Sequence, residues 1–201
     1  MNAPAAKTAN LVVMISGSGT NLQAILDACA AGRLPARVCA VVSNKRDAFG
    51  LERARRAGIP AVARPKPREQ DRREYDSQLA ETVASFHPDW IVLAGWMRVL
   101  SAEFLARFPG RVLNLHPALP GAFPGIHAIE RAHEAFQRGE IRETGVMVHL
   151  VPDEGVDDGP VLAQEIVPIR RSDTVASLEE RIHAVEHRLL VETIGKVLSA
   201  S

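Results

Sequence analysis

The chain has 201 residues, 46% hydrophobic and 4% aromatic, and its 24 Lys and Arg balance its 24 Asp and Glu. That length fits one domain with a core large enough to need no disulfide or structural metal. The balanced charge excludes broad electrostatic capture by nucleic acid or an anionic membrane, and no apolar run reaches the roughly 18 residues of a membrane span. Cys29 and Cys39 stand alone in apolar surroundings, with no Cys-x-x-Cys, and read as small buried hydrophobes of a reducing, cytoplasmic protein. Residues 1–9 lack the apolar stretch of a signal peptide and are expected to form a flexible extension ahead of one domain over 10–201.

From residue 10 to about 115, short β-branched runs alternate with longer stretches of helical spacing. Strands are predicted at Leu11–Ile15, Val38–Val42, Ile91–Ala94 and Val112–Leu115, with a further short one at Pro60–Ala63. Helices are predicted around Leu22, Ile25, Leu26 and Cys29, then at Phe49–Ala57, Glu69–Phe86 and Ala102–Phe108. Alternation with near-continuous apolar strands implies a mostly parallel, twisted sheet with helices on both faces. Next comes Pro117–Gly125, whose three Pro and two Gly in nine residues forbid helix and central strand alike. A helix follows at His127–Arg138. Val146–Val151 and Val161–Ile169 then fit an antiparallel hairpin around the acidic loop 152–160, and an amphipathic helix from Thr174 closes the chain.

The turn Ser16-Gly-Ser-Gly-Thr-Asn21 lies between the first strand and first helix, where backbone N–H groups and a helix N-terminus receive an anion. Thr20 or Asn21 is the expected helix cap. A dinucleotide fingerprint would require a third glycine where Leu22 stands and an acid where Ser43 and Asn44 stand. A triphosphate loop would require Gly-Lys-Ser/Thr, which does not occur. The loop therefore suits a single phosphate, although a plain strand-to-helix turn has the same sequence needs.

Asn114 and His116 are two apart on a strand that Pro117 ends, so they project together at its carboxyl edge. An amide donor beside a proton-exchanging imidazole suits acyl transfer, in which an oxyanion forms and an amine loses a proton. The loop Pro152–Pro160 supplies carboxylates able to raise the His pKa, and no Gly-x-Ser-x-Gly elbow offers a nucleophile. His183-Ala-Val-Glu-His187 matches a zinc-peptidase pattern, but a third ligand is missing from its vicinity, and we assign no metal.

Five segments in order resemble the glycinamide ribonucleotide formyltransferase family, folate-dependent enzymes of purine biosynthesis: Ile15–Ala24, Val42–Lys45 with Ala48–Ala54, Leu93–Arg98, Asn114–Pro117 with Pro124–His127, and Gly145–Pro160. The resemblance spans Leu11 to about Lys196. It implies a Rossmann-like formyltransferase fold with a C-terminal antiparallel hairpin. The implied reaction passes a formyl group from the co-substrate 10-formyltetrahydrofolate to the amine of 5-phosphoribosylglycinamide, without metal. It places Asn114, His116 and Asp157 at catalytic positions, with Asn114 and His116 donating to the oxyanion and Asp157 raising the His116 pKa and moving the proton through a water. Gly19, Thr20 and Asn21 would hold the phosphate, Glu186 the ribose hydroxyls, and His183 a variable substrate-side position. Trp96, Met97, Arg98, Val99, Leu100 and Val156 would line the folate, with Arg72 at its acidic tail.

The chain departs from that family at three places. The loop before Asp157 is one residue longer than its commonest form, which leaves Asp158 as a competing acid. Met147 stands where a small hydroxyl residue is frequent, and Pro-Ala-Leu-Pro-Gly replaces Pro-Ser-Leu-Leu-Pro after His116. Relatives that formylate initiator tRNA carry a basic extra domain and formyltetrahydrofolate hydrolases a regulatory one; neither is expected in 201 residues. Another 10-formyltetrahydrofolate enzyme and a non-catalytic nucleotide-binding module remain the alternatives. Partners are expected to be the two small substrates, with no nucleic acid and no membrane, in a monomer or homodimer.

Overall fold

The computed structural model describes residues 8–200. Of the extension expected over residues 1–9, residues 1–7 lie outside that span, and Ala9 opens the first strand. Seven strands form one sheet: β1 (Ala9–Ile15), β2 (Ala36–Ser43), β3 (Ala61–Ala63), β4 (Trp90–Leu93), β5 (Val112–His116), β6 (Glu143–Leu150) and β7 (Val161–Pro168). Their spatial order is β3-β2-β1-β4-β5-β6-β7. The first five run parallel, whereas β6 lies antiparallel to both β5 and β7.

Six helices cover the sheet: α1 (Thr20–Ala30), α2 (Phe49–Arg56), α3 (Arg72–Ala84), α4 (Ala102–Leu105), α5 (Ala128–Gln137) and α6 (Val175–Ser199). Strand alternation divides the apolar residues between two cores. Leu11, Val13 and Ile15 of β1 pack with Leu22 and Ile25 of α1, Leu51 of α2, Ile129 of α5, and Leu178 and Ile182 of α6. Val12 and Met14, on the opposite face, pack with Tyr75 and Leu79 of α3 and Phe104 of α4. All five of those β1 residues are fully buried, which is why the strand is apolar without interruption. Leu22, at the position of the missing third glycine, is fully buried. Among the described residues, no helix is long and apolar enough to cross a membrane.

The order of the strands locates the site. The chain leaves β1 toward β2 and β3, then returns to add β4 and β5 on the other side, so the crevice beyond β1 and β4 is a topological switch point. The segments that follow β1 and β4 meet there. Ser16 N–H donates to the Gly95 carbonyl at 2.9 Å, and Met97 N–H donates to Ser16 Oγ at 2.8 Å.

The glycine turn is held by a close backbone contact with α2. Gly19 has φ 72°, and Gly50 N–H donates to the Gly17 carbonyl at 3.1 Å. A methyl group on Gly50 would overlap Ile15 Cδ1 and press on Gly19 Cα at 3.2 Å. Gly50→Ala is therefore expected to destabilise the fold by about 1–3 kcal/mol, the usual range for overpacking. A thermal melt of the purified variant beside the parent checks this.

Candidate active site

Asn114 and His116 end β5, as the two-residue period requires, and both reach one carboxylate. Asn114 Nδ2 donates to Asp157 Oδ1 at 2.9 Å, and His116 Nδ1 lies 3.2 Å from Asp157 Oδ2. Gly125 N–H donates to Asp157 Oδ2 at 2.8 Å. The extra residue in the loop thus leaves Asp157 in the cluster, while the Asp158 carboxylate folds against Gly155 within its own loop. Asp157 takes a left-handed backbone, φ 55°, to turn its side chain inward.

His149 completes the cluster and was not assigned a role from sequence. In the antiparallel pairing of β5 and β6 it stands directly opposite Asn114, and its side chain is 3% exposed. Its Nδ1 faces the Leu150 carbonyl at 2.8 Å, so Nδ1 carries the hydrogen and Nε2 accepts from Asn114 Nδ2 at 3.1 Å. Nε2 also lies 3.5 Å from Asp157 Oδ1. Only the pairing register reveals this neighbour, and register is not a local property of the sequence.

The electrostatics correct one expectation. Burial is the largest influence on His116 and pushes its pKa below the ordinary histidine value. The Asp157 charge and the Phe123 carbonyl, which faces Nε2 at 3.1 Å, pull it upward without overcoming burial. Asp157 therefore raises the His116 pKa only relative to a site lacking the carboxylate. Burial would raise Asp157 itself, yet the Gly125 N–H and the neighbouring His149 and His116 imidazoles hold it below the ordinary carboxylate range.

Two cavities with shared wall residues lie at this end of the sheet, and the cluster lines the first. One, of about 210 Å³, is lined by Trp96, Met97, Arg98, Val99 and Leu100 on one side and by Asn114, His116, Val156 and Asp157 on the other. Trp96 and Leu100 are largely buried, whereas Met97, Val99 and Val156 leave apolar surface exposed around the opening. Arg72 lies outside this lining; as the first residue of α3 it donates to Glu154 Oε2 at 2.7 Å. Glu154 Oε1 in turn accepts the Ala102 N–H that begins α4.

The second cavity, of about 530 Å³, is lined by residues 16–21 of the glycine turn together with Lys45, His183 and Glu186. Gly95, Met97, Pro117 and Ile126 belong to both linings. Lys45 drew no role from sequence, although its place just past the carboxyl end of β2 was a usable signal. The helix cap also differs from expectation. Gly19 is the N-cap of α1, and neither Thr20 nor Asn21 caps it. Asn21 instead donates through Nδ2 to Glu186 Oε2 at 3.1 Å. The first N–H groups of α1 are thereby left facing the cavity without a side-chain partner. His183 lies 3.8 Å from Glu186 and stacks on His187 at 6.3 Å between ring centroids.

The formyl transferase family model matches residues 9–194. Phosphoribosylglycinamide formyltransferase of Schizosaccharomyces pombe is 50% identical, covering 95% of this chain and 98% of the relative. The Escherichia coli protein of the same name is 43% identical over 90% of this chain and 82% of its own length. Among solved structures, glycinamide ribonucleotide transformylase 1 from Symbiobacterium toebii superposes with a TM-score of 0.90 at 44% identity, covering 96% of this chain and 89% of that one.

Glu186 gives a test of the second cavity. It is 5% exposed, and burial raises its pKa against the Asn21 bond and the His183 charge. The folded chain holds that proton more tightly than the unfolded chain, whose glutamates titrate near about pH 4.3. Stability from this group is complete below that pH and is lost as pH rises through the higher folded value. Glu186→Gln keeps the shape and an acceptor for Asn21 while removing the charge. Its melting temperature is expected to exceed the parent's at pH 8 and to match it at pH 4, by calorimetry at both values.

Proposed function

The chain belongs to the formyl transferase family, and from that premise we propose that it is a purine-biosynthesis enzyme that formylates the amine of 5-phosphoribosylglycinamide from 10-formyltetrahydrofolate. The observation that carries the reading is the convergence of Asn114, His116 and Asp157 in the lining of a cavity with an apolar mouth, which shares wall residues with a second cavity that holds the glycine turn. An apolar slot fits a flat pterin-like ring, and exposed helix N–H groups fit a single phosphate.

In this reading the amine nitrogen attacks the formyl carbon directly. A C–N bond forms, the carbonyl oxygen gains charge, and the C–N bond to the folate then breaks. Asn114 has two N–H groups, one given to Asp157 and one to His149. The carboxylate holds the first, which leaves the N–H now spent on a neutral imidazole to follow the developing oxyanion. His116 faces an acceptor at each ring nitrogen, the Asp157 carboxylate at Nδ1 and the Phe123 carbonyl at Nε2, and in the tautomer with its hydrogen on Nε2 it is a second donor to the oxyanion once that hydrogen changes partner. Asp157, ionised at neutral pH, takes the proton that the attacking amine must lose and returns it through a water to the folate nitrogen as that bond breaks.

Gly19, Thr20 and Asn21 are assigned to the phosphate and Glu186 to the ribose hydroxyls, whose two hydrogens suit a carboxylate. Trp96 to Leu100 and Val156 are assigned to the folate. The Arg72 role is the least direct, since Glu154 already satisfies it and a ligand carboxylate must compete with that pair.

Purified protein is expected to consume 10-formyltetrahydrofolate only when 5-phosphoribosylglycinamide is present, followed by the change in folate absorbance. Rapid turnover of the folate without the amine would indicate a hydrolase instead. Asn114→Ala is expected to lower kcat by about 100-fold or more, as loss of an oxyanion donor does. His116→Ala acting at the full rate would overturn the assigned roles.

A further inference from the structure

The loop between His116 and α5 takes a conformation that its sequence alone does not favour. Phe123, Gly125 and His127 all have positive φ, at 48°, 80° and 58°. Two of these are not glycine, and a left-handed backbone is unfavourable at each such residue. Such strain persists only where surrounding contacts over-determine it. The loop also carries both backbone groups that orient the catalytic pair: the Phe123 carbonyl faces His116 Nε2, and Gly125 N–H donates to Asp157.

One side chain spans this segment from behind. Arg131, in the first turns of α5, donates through Nη2 to the Phe123 carbonyl and to the Pro124 carbonyl, each at 2.6 Å. Its Nε donates to the His127 carbonyl at 3.4 Å, and its guanidinium lies 5.9 Å from the Phe123 ring centroid. Three carbonyls and an aromatic face are thus gathered by one guanidinium, on the strained stretch. We propose that Arg131 is a positioning residue that clamps residues 123–127 so that the Phe123 carbonyl fixes the His116 ring and Gly125 fixes Asp157.

The clamp has a second effect on His116. The Phe123 carbonyl accepts from both Arg131 and His116, so charge drawn toward the guanidinium weakens its hold on Nε2. That eases the change of partner from carbonyl to oxyanion. This part rests on the formyl-transfer reading; the clamping of the ring does not.

The groups facing His116 are the Asp157 carboxylate, the His149 ring, and the backbone at Phe123 and Ala122. Their balance gives a test with a decisive sign. Arg131→Met keeps the apolar stem and removes the donors. If Arg131 clamps the carbonyl in place, its loss frees the loop, Nε2 loses its acceptor, and the His116 titration midpoint falls. Loss of a nearby positive charge, with no clamp, would move the midpoint upward. The midpoint is read by NMR of the imidazole nitrogens in the substrate-free protein, alongside hydrogen exchange of residues 117–127. A lower midpoint and faster exchange are expected in Arg131→Met, and Arg131→Lys, which keeps charge and donors, is expected to restore both. In the formyl-transfer assay kcat is expected to drop by about 10- to 100-fold, with a smaller change in KM, as misplacement of a reacting group does. A midpoint that rises or stays fixed in the folded variant overturns the clamp. So does a lower kcat with an unchanged His116. If Arg131→Met does not fold, Arg131→Gln carries the same comparison. A parent without formyl transfer, whose His116 and loop still respond to the variant, would sink the proposed activity and leave the clamp standing.

Discussion

A carboxylate whose side chain is 10% exposed must be surrounded by donors, and the Asp157 carboxylate sets that requirement for the whole site. Its partners come from three separate segments: the end of β5, residue 149 on β6, and the backbone at Gly125. Each arrives only if a larger feature is correct. Asn114 and His116 share a side because β5 is extended. His149 arrives because β6 turns back antiparallel at one register, and a slip of one residue would send it to the other face. Gly125 arrives because the loop after Pro117 accepts several left-handed residues. Removing the carboxylate would leave Asn114, His116 and the Gly125 N–H to find new partners in a largely buried place.

The donors at this site are satisfied internally. Asn114 spends both N–H groups on Asp157 and His149, and His116 spends Nε2 on a carbonyl. In the proposed reaction an oxyanion would have to displace one of these acceptors, which sounds like a handicap. It is the reverse when the acceptor lost is neutral and the one gained is charged, because charge-assisted bonds are roughly twice as strong. Donors held in place on weaker acceptors need no reorganisation from water as charge develops. Glu186 shows the other side of such an arrangement. It is a buried carboxylate that burial opposes, and its retention sets a polar contact at the glycine turn against stability.

The fold was largely legible in the sequence because apolar runs and their spacing are local. All seven strands and six helices fall within a few residues of their predicted places, including the three-residue β3. Asn114 and His116 were legible for the same reason, since two residues on one strand share a side. His149 was not, because its neighbour is fixed by pairing across 35 residues. Asn21 was misread as a cap because its type and position fit one; only the φ of 72° at Gly19 and the nearness of Glu186 on α6 show why it turns elsewhere. The His116 pKa was misjudged for a related reason. A neighbouring carboxylate can be guessed from sequence, but the degree of burial that outweighs it cannot.

Charge neutrality takes on a definite meaning in the second cavity. Its lining holds Lys45 and two histidines, but also Glu130, Glu179 and Glu186. Side-chain charge there does not favour an anion. Glu130 is moreover drawn to His127, at 3.1 Å, and Glu179 and Glu186 both lie near His183, so both histidines are already shared. What remains unshared, besides Lys45, is the row of backbone N–H groups at the start of α1, uncapped by any side chain after a left-handed Gly19. Such groups carry a fixed partial charge that neighbouring carboxylates cannot neutralise by proton transfer. A phosphate in this cavity would therefore be recognised by the shape and direction of the main chain rather than by net attraction. On the proposed function, a chain with equal numbers of acidic and basic residues would in this way hold an anion without a broadly basic surface.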